Sequence, residues 1–173
     1  MNKQIQDVLD PKYATKMAKG YDLSVVLKKG PKGVSLYAKK PIKRGNVIAY
    51  YKFKLYPYTN KFKGKKDDMY VMSVYTKNDK FNPRVIGDIF EGSLDYPKYN
   101  IPFWAYFSNE PSGDQQQNCT IDPNLKNNYR KRDKVKAGET MTYKLIATKN
   151  IEPDEEIVWC YGIYYDRNYK ANC

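Results

Sequence analysis

The stretch EEIVWCYGIYY, residues Glu155–Tyr165, combines two acidic residues with a dense run of aromatic and aliphatic side chains near the C-terminus. Its composition predicts a buried terminal β-strand. Alternation along such a strand would place Trp159 and Tyr161 side by side on one face, with Cys160 on the other as a small buried residue. Two roles are open for this stretch: its tyrosines fill the core, or one tyrosine hydroxyl takes part in chemistry.

Length and composition indicate a single folded domain. The chain has 173 residues, of which 41% are hydrophobic, enough for one packed core. Its apolar runs are too short to cross a membrane, and its first ten residues lack the apolar centre of a signal peptide. We therefore expect a soluble, intracellular protein without a membrane partner, in either the nucleus or the cytoplasm.

The titratable residues restrict the possible chemistry. The chain has no histidine, which excludes Ser–His and Cys–His catalysis and histidine metal sites. Its three cysteines, Cys119, Cys160 and Cys173, are widely spaced, suit a reducing compartment and form no CxxC zinc motif. We therefore expect no bound metal, and any acid or base must be a tyrosine, lysine, cysteine, carboxylate or chain terminus.

The charge leaves two interpretations open. Lysine and arginine number 31 against 19 aspartates and glutamates, a net charge of +12 at pH 7. Such a surface can contact nucleic acid non-specifically, or it can simply be a solvated lysine surface. The same choice applies to the basic stretch 124–139, which is either an exposed loop or a contact surface for an acidic partner.

Local patterns predict a mostly β domain after a short helix. Asp10-Pro11, followed by Gly20, is typical of a helix with an aspartate N-cap, a proline first residue and a glycine stop. Strands are predicted at GVSLYA (33–38), VIAYYKFKLY (47–56), YVMSVY (70–75) and TMTYKLIA (140–147).

One motif resembles the opening of the SET domain of protein lysine methyltransferases. It is GVSLYAKKPIKRGNVIAYY, residues 33–51. In that family a Gly-x-Gly turn leads into a hydrophobic–aromatic–alanine strand and then a basic turn that ends in glycine. Gly33 and Gly45 match the first and last glycines, while Ser35 stands where the second glycine is expected.

Two later segments resemble the other motifs of the same family. AYFSNEPSGDQQQNC, residues 105–119, is similar to Arg-Phe-Ile-Asn-His-Ser-Cys…Asn-Cys, with Tyr106 replacing the arginine and Glu110 the histidine. ATKNIEPDEEIVWCYG, residues 147–162, is similar to the closing motif around Gly-Glu-Glu-Leu-Thr-Tyr-Asp-Tyr-Gly, with Asp154 replacing glycine and Cys160 aspartate. The order and spacing of the three motifs extend the resemblance over residues 23–165.

The resemblance implies a fold and an activity. The fold is mostly β, built of several small β-sheets, with a pseudoknot-like threading of the C-terminal segment through an earlier loop. The activity is methyl transfer from S-adenosylmethionine to an exposed lysine of a protein partner, with a histone or another lysine-rich tail as the expected substrate. We divide the chain into an N-terminal helical extension, residues 1–22, a SET-like domain, residues 23–165, and a C-terminal tail, residues 166–173.

The same resemblance assigns the site residues. Tyr161 would be the catalytic residue that orients the lysine amine, in a channel lined by Trp159, Tyr51 and Tyr164, with Trp159 limiting how many methyl groups fit. The residues that would bind the cofactor are Lys32, Gly33, Val34, Ser35, Tyr106, Asn109, Glu110 and Tyr161. Many family members close the channel with a cysteine-rich zinc cluster after the domain, and here aromatic residues of the C-terminal end would close it instead.

Other interpretations of these residues stay open. Tyr51 and Tyr161 are also suited to a core, Gly33 to an ordinary turn and Asn109 to a loop that bonds its own backbone. The replaced motif residues fit a catalytically inactive SET-like binding module as well, and the charge fits a basic nucleic-acid-binding protein.

Overall fold

The first element that the structure describes is a short helix. The structure is a computed structural model that describes residues 10–57, 70–74, 85–90, 92–121, 135–162, 165 and 167–173. Helix α1, Pro11–Met17, begins as predicted: the side chain of Asp10 accepts a hydrogen bond from the Lys12 amide at 2.9 Å. Gly20 follows the helix with φ +88°, a conformation that favours glycine. Across the described ranges, no helix has the length and apolarity that a membrane crossing requires.

The strands form two antiparallel sheets. Strands β1, Val25–Gly30, and β2, Gly33–Ala38, make a hairpin. The larger sheet has the order β4-β5-β3-β7-β6, and its strands are β3, Val47–Pro57, β4, Met72–Val74, β5, Val85–Asp88, β6, Cys119–Ile121, and β7, Thr140–Ala147. A short 3-10 turn, Ala105–Phe107, precedes the loop that contains Asn109. This confirms the predicted mostly β architecture.

The centre of the core is the β3–β7 pair. Phe53 of β3 and Leu145 of β7 are fully buried, and β3 carries buried side chains on both faces over much of its length. Gly87 of β5 lies against the Phe53 ring so closely that an added Cβ would be 2.2 Å from Cδ2. The close approach of these strands therefore depends on glycine at that position.

The C-terminal segment, residues 155–162, confirms the threaded fold. Its Trp159 amide donates to the first carbonyl of the loop 109–118 at 3.0 Å, and its Val158 carbonyl accepts from the last amide of that loop at 3.1 Å. On the other side, the Ile157 amide donates to β2 at 2.8 Å. The segment therefore lies between β2 and both ends of the loop.

The expectation that this stretch forms a regular strand is wrong. Glu156 and Val158 each make a single bridge, to Tyr37 of β2 and to Asn109 respectively. Ile157 and Val158 are both buried, so side chains do not alternate between buried and exposed faces. The physical reason is the threading. Strand β2 lies on one side of the segment and the loop 109–118 on the other, and successive residues of the segment hydrogen-bond to different partners.

The cysteines also differ from expectation. Cys160 is half-buried and forms a disulfide with Cys173, whereas the sequence predicted free thiols and a buried Cys160. The end of the chain folds back and brings the two Cα atoms to 5.9 Å, a contact that their 13-residue separation did not reveal. Cys119 is a buried free thiol whose pKa is raised to about 12 by burial.

Three strands were missed because their patterns are weak. Strand β1 reads VVLKKG, in which two lysines and a glycine dilute the apolar signal, and β5 and β6 have four and three residues. Most of the basic stretch 124–139, Tyr75 at the end of YVMSVY, and Tyr164 of the expected channel lie outside the described residues. The proposed domain boundaries stay a prediction.

Candidate functional site

Three parts of the chain meet at the candidate site: the β1–β2 hairpin, the loop 109–118 and the C-terminal segment. Hydrogen bonds from the segment to β2 and to the loop hold them together. The predicted motifs are far apart in the sequence, and the fold brings all three of them to one place. The site consists of a polar cluster around Asn109, an aromatic cluster around Tyr161 and a buried carboxylate, Glu110.

The Asn109 cluster contains Lys32, Ser35, Asn109, Gln115 and Glu156. The Asn109 amide donates to the Ser35 hydroxyl at 2.7 Å and to Glu156 at 3.4 Å. The Gln115 amide donates to the other Glu156 oxygen at 2.7 Å, and Lys32 Nζ lies 3.7 Å from that oxygen. Lys32 also donates to the Glu110 carbonyl at 2.7 Å. The cluster thus offers an ammonium, a carboxylate and two amides at one place.

The hairpin beside this cluster explains two motif positions. Gly33 has φ +93° and open space where a side chain would begin, so the turn requires glycine there. Ser35 does not have positive φ, lies in β2, and is buried with its hydroxyl bonded to Asn109. A serine therefore fits this position without backbone strain. Val34, between them, is half-buried and pairs with Lys29 across the hairpin.

Asp154, in the closing motif, is a second residue that replaces a motif glycine and still fits the backbone there. It stands where the motif has glycine, and its φ is +66°, which aspartate tolerates better than most residues. Its carboxylate forms an ion pair with Lys28. The replacement therefore keeps the conformation of the turn that leads into the C-terminal segment.

The aromatic cluster comprises five tyrosines and a tryptophan. Its members are Tyr51, Tyr70, Tyr106, Trp159, Tyr161 and Tyr165. Ring centroids are 3.9 Å apart for Tyr51–Tyr106, 6.2 Å for Tyr70–Tyr106, 5.0 Å for Trp159–Tyr161 and 4.8 Å for Tyr161–Tyr165. The predicted neighbours Trp159 and Tyr161 do lie side by side, and Tyr106, expected near the cofactor, packs on Tyr51.

Tyr161 has a well-defined hydrogen-bond arrangement. Its hydroxyl donates to the Ser108 carbonyl at 2.8 Å, and the Ser108 hydroxyl donates to the Ile157 carbonyl at 2.8 Å. Because the single hydroxyl proton is used in this way, the Tyr161 oxygen presents its lone pairs as acceptors. Burial, with the neighbouring Tyr165 second, raises the pKa of Tyr161 well above its usual range, so the hydroxyl is neutral at physiological pH.

Burial also keeps Tyr51 and Tyr106 neutral and poorly hydrated, because it raises the pKa of both hydroxyls. Burial raises the pKa of Tyr51 strongly, and its hydroxyl donates weakly to the Tyr70 carbonyl at 3.5 Å. Ionised Tyr106 and Tyr161 would each raise the pKa of Tyr51 further. The indole nitrogen of Trp159 is buried and has no hydrogen-bond partner within the described part of the chain. Aromatic rings therefore pack against Tyr161, and the cluster holds two buried donors, the Trp159 N–H and the Tyr106 hydroxyl, that no described residue uses.

Glu110 differs from both clusters because its carboxylate is fully buried. It accepts hydrogen bonds from the Tyr161 amide at 2.7 Å, from Arg167 at 2.5 and 2.6 Å, and from the Tyr169 hydroxyl at 2.9 Å. Burial alone would raise the pKa of Glu110, but these donors outweigh it and the pKa is lowered. Glu110 is therefore a carboxylate at neutral pH.

Several residues of the site were missed in the sequence. Glu156, Gln115 and Arg167 were not singled out, although the double glutamate of the closing motif pointed to Glu156. Gln115 lies in a polar loop without a recognisable pattern, and the C-terminal tail was given an aromatic rather than an ionic role. In the ranges that the structure describes, no three Cys, Asp or Glu side chains are grouped so as to hold a metal ion.

Comparisons with known proteins identify the family of the chain. The SET domain family model matches residues 33–162. A comparison with curated protein sequences gave no match. The solved ATXR5 SET domain, in complex with histone H3 di-methylated on an arginine, is 18% identical with a TM-score of 0.52, and the match covers 86% of this chain and 61% of that chain. A candidate histone methyltransferase of Plasmodium falciparum is 15% identical with a TM-score of 0.47, over 82% and 95% of the respective chains. Since the family model covers well over half of the sequence, the chain belongs to the SET-domain family.

Proposed function

We propose that the protein is an S-adenosylmethionine-dependent protein-lysine N-methyltransferase. The observation that carries the proposal is the Tyr161 hydroxyl, which donates to Ser108 and so presents acceptor lone pairs within an aromatic cluster. Family membership supports the activity, because lysine methylation is the general activity of SET domains. The ATXR5 SET domain was solved with histone H3, and we propose a histone or similar lysine-rich tail as the substrate class here.

The Asn109 cluster has the donor set that this methyl donor requires. S-adenosylmethionine supplies an electrophilic methyl group on a sulfonium and presents a carboxylate and an amine. In the proposal Lys32 meets the carboxylate, while Glu156 and the Asn109 amide oxygen meet the amine. The open space beside Gly33 lets main chain at residues 33–35 approach a ligand. The groups present therefore fit the cofactor, with the Lys32 ammonium donating one N–H to the Glu110 carbonyl and another to the cofactor carboxylate.

The aromatic cluster would receive the lysine side chain. Aromatic faces attract an alkylammonium by about 0.5–2 kcal/mol per good contact. A poorly hydrated channel lowers the pKa of the incoming ammonium, so that it loses its proton to solvent before transfer. The Tyr161 oxygen would then accept a hydrogen bond from the neutral amine and hold its lone pair in line with the methyl group. In this mechanism the chain needs no histidine, because no side chain has to act as a base.

Trp159, Tyr51 and Tyr106 complete the proposed channel wall. The rings of Tyr51 and Tyr106 pack with their centroids 3.9 Å apart at an interplanar angle of 37°, and together they would form the bulk of the wall. The indole N–H of Trp159 and the hydroxyl of Tyr106 are buried donors that no described residue uses. Tyr164 keeps its predicted channel role as part of the proposal.

Labelled methyl transfer tests this function. The protein should transfer label from S-adenosylmethionine to a lysine of purified histones, with excess S-adenosylhomocysteine as the competing control. Cofactor binding by calorimetry without transfer to any histone or cell-extract protein would favour an inactive binding module. Neither binding nor transfer, together with DNA binding that weakens steeply with salt, would favour a nucleic-acid-binding protein.

A further inference from the structure

Among the residues that the structure describes, Glu110 is the one charged residue that is buried. It occupies the motif position of a histidine, and its side chain has no solvent exposure while that of Arg167 has 18%. Burying a carboxylate costs several kcal/mol unless an opposite charge and further donors compensate it. Arg167 provides two hydrogen bonds and Tyr169 a third. The side-chain part of this compensation comes from the last residues of the chain, and the Tyr161 amide adds a fourth hydrogen bond.

The contacts of Glu110 also reach the aromatic cluster. Its Oε1 accepts from the Tyr161 amide, so one carboxylate bonds the backbone of Tyr161 and the tail, defined here as residues 167–173. Arg167 in turn donates to the carbonyls of Tyr165 and Gly162, at 3.0 and 2.7 Å. Its guanidinium lies 5.4 Å from the centroid of the Tyr165 ring, which packs against Tyr161.

The tail is fixed at its far end as well. Asn172 donates from its amide to the Pro111 carbonyl at 2.9 Å and from its side chain to the Gln115 carbonyl at 2.6 Å. Cys173 is joined to Cys160, the residue before Tyr161. The tail therefore forms a strap that begins and ends beside Tyr161 and follows the loop 109–118.

We propose that Glu110 is a positioning residue for methyl transfer, and that its ion pair with Arg167 makes the tail a fixed wall of the lysine channel. This inference rests on the proposed function. Glu110 acts through others: it holds the Tyr161 backbone directly, and through Arg167 it holds the Tyr165 ring against the Tyr161 ring. A channel wall that is already held in place loses less conformational entropy when a lysine substrate binds, and binding is therefore tighter.

The experiment compares Arg167→Met with Asp22→Asn. The control removes an exposed ion pair, Asp22–Lys40, that involves none of the site residues. Steady-state methyl transfer to a histone should show KM for the histone raised about tenfold in Arg167→Met, with the calorimetric Kd for S-adenosylmethionine changed less than about threefold. The control should match the parent in both. Unchanged KM and kcat in a folded Arg167→Met protein would overturn the proposal.

Hydrogen exchange gives a readout that does not depend on activity. Arg167→Met should accelerate exchange about tenfold in peptides that contain Tyr161 and in the tail, and leave the β3–β7 strands as in the parent. If the parent transfers no methyl group, the proposed function fails, while this result still decides whether Glu110 positions Tyr161. Parent-like protection at Tyr161, with or without a raised KM, would overturn the proposal.

Glu110→Gln covers the case in which Arg167→Met does not fold. The glutamine keeps the volume and one acceptor for the Tyr161 amide, but removes the charge that Arg167 needs. It should reproduce the accelerated exchange of the tail with a smaller effect at Tyr161. Parent-like exchange in the tail would again overturn the proposal.

Discussion

Asn109 and Glu110 are neighbours in the sequence, yet they belong to opposite kinds of environment. The Asn109 side chain lies in a half-open polar cluster, where each charged group retains access to water. The Glu110 side chain is sealed and fully paired with donors. The difference shows that two adjacent residues can have different roles in one site. Groups in an open cluster can exchange their hydrogen-bond partners for a ligand, whereas groups in a sealed cluster hold the surrounding backbone in place.

The difference has an energetic basis. Half-exposed hydrogen bonds contribute little net stability, because water replaces a lost partner. A buried carboxylate leaves no such replacement, so the loss of its partners exposes the full desolvation cost. We therefore expect substitutions at Asn109 to act on binding and substitutions at Glu110 to act on stability and on the shape of the channel.

The largest effect should come from Glu110→Ala. It leaves Arg167, the Tyr169 hydroxyl and the Tyr161 amide without their acceptor. We expect the free energy of unfolding to fall by about 3–5 kcal/mol, against less than about 1 kcal/mol for Asn109→Ala. Urea denaturation measures both, and equal losses in the two variants would remove the distinction between the clusters.

Asn109→Ala should act mainly on the cofactor. It removes the amide that bonds Ser35 and Glu156, and should weaken S-adenosylmethionine binding by about 1–3 kcal/mol. Gln117→Ala, an exposed residue of the same loop, is the matched control. Calorimetry on the two folded variants decides the point; parent-like affinity in Asn109→Ala would place the cofactor elsewhere.

The aromatic cluster predicts instability at alkaline pH. The pKa values of Tyr51, Tyr106 and Tyr161 are raised above the usual 10.0, mainly by burial. Their contribution is fully present below pH 10 and is lost as pH rises, since the unfolded chain then ionises while the folded cluster does not. Each such group lowers the free energy of unfolding by about 1.4 kcal/mol for every pH unit above 10.

Thermal unfolding from pH 8 to 11 checks this prediction. Tyr51→Phe should reduce the alkaline loss, and Tyr96→Phe, at an exposed position, should leave it unchanged. An equal alkaline loss in both variants would show that Tyr51 ionises as freely in the folded protein as in the unfolded chain.

The smallest effect is expected at Trp159. In the proposed channel its indole would take up space beside the lysine, and it carries an N–H that no described residue uses, so Trp159→Phe would alter both space and hydrogen bonding. We expect the proportions of mono-, di- and trimethyllysine to shift at similar turnover, as measured by mass spectrometry of the product. Identical proportions of the three methylation states in the variant and the parent would show that Trp159 does not line the lysine channel.

Much of the fold could be predicted because its signals are local. The cap at Asp10, the alternation of TMTYKLIA and the glycine turns at Gly33 and Gly45 all correspond to the observed elements. The C-terminal segment could not be predicted as it is, because its burial arises from β2 and the loop 109–118, both distant in sequence. Local periodicity cannot show a segment that is enclosed on two sides.

The site was predictable to the extent that it follows the motifs. Trp159 and Tyr161 lie together, and Lys32, Ser35 and Asn109 form one cluster with the unforeseen Glu156. The ion pair of Arg167 could not be predicted, because its partner, Glu110, stands where the motif has a histidine. The disulfide of Cys160 escaped prediction for the same reason: both depend on how the tail folds back.

The most direct test of the account is the turnover of Tyr161→Phe. The change removes one hydroxyl, keeps the ring contacts with Trp159 and Tyr165, and leaves the Tyr161 amide on Glu110. We predict a folded protein with parent-like affinity for S-adenosylmethionine and methyl transfer slowed about tenfold to a thousandfold, because an orienting interaction of the transition state is lost. Methyl transfer at the parent rate would contradict the central claim and make Tyr161 a core residue.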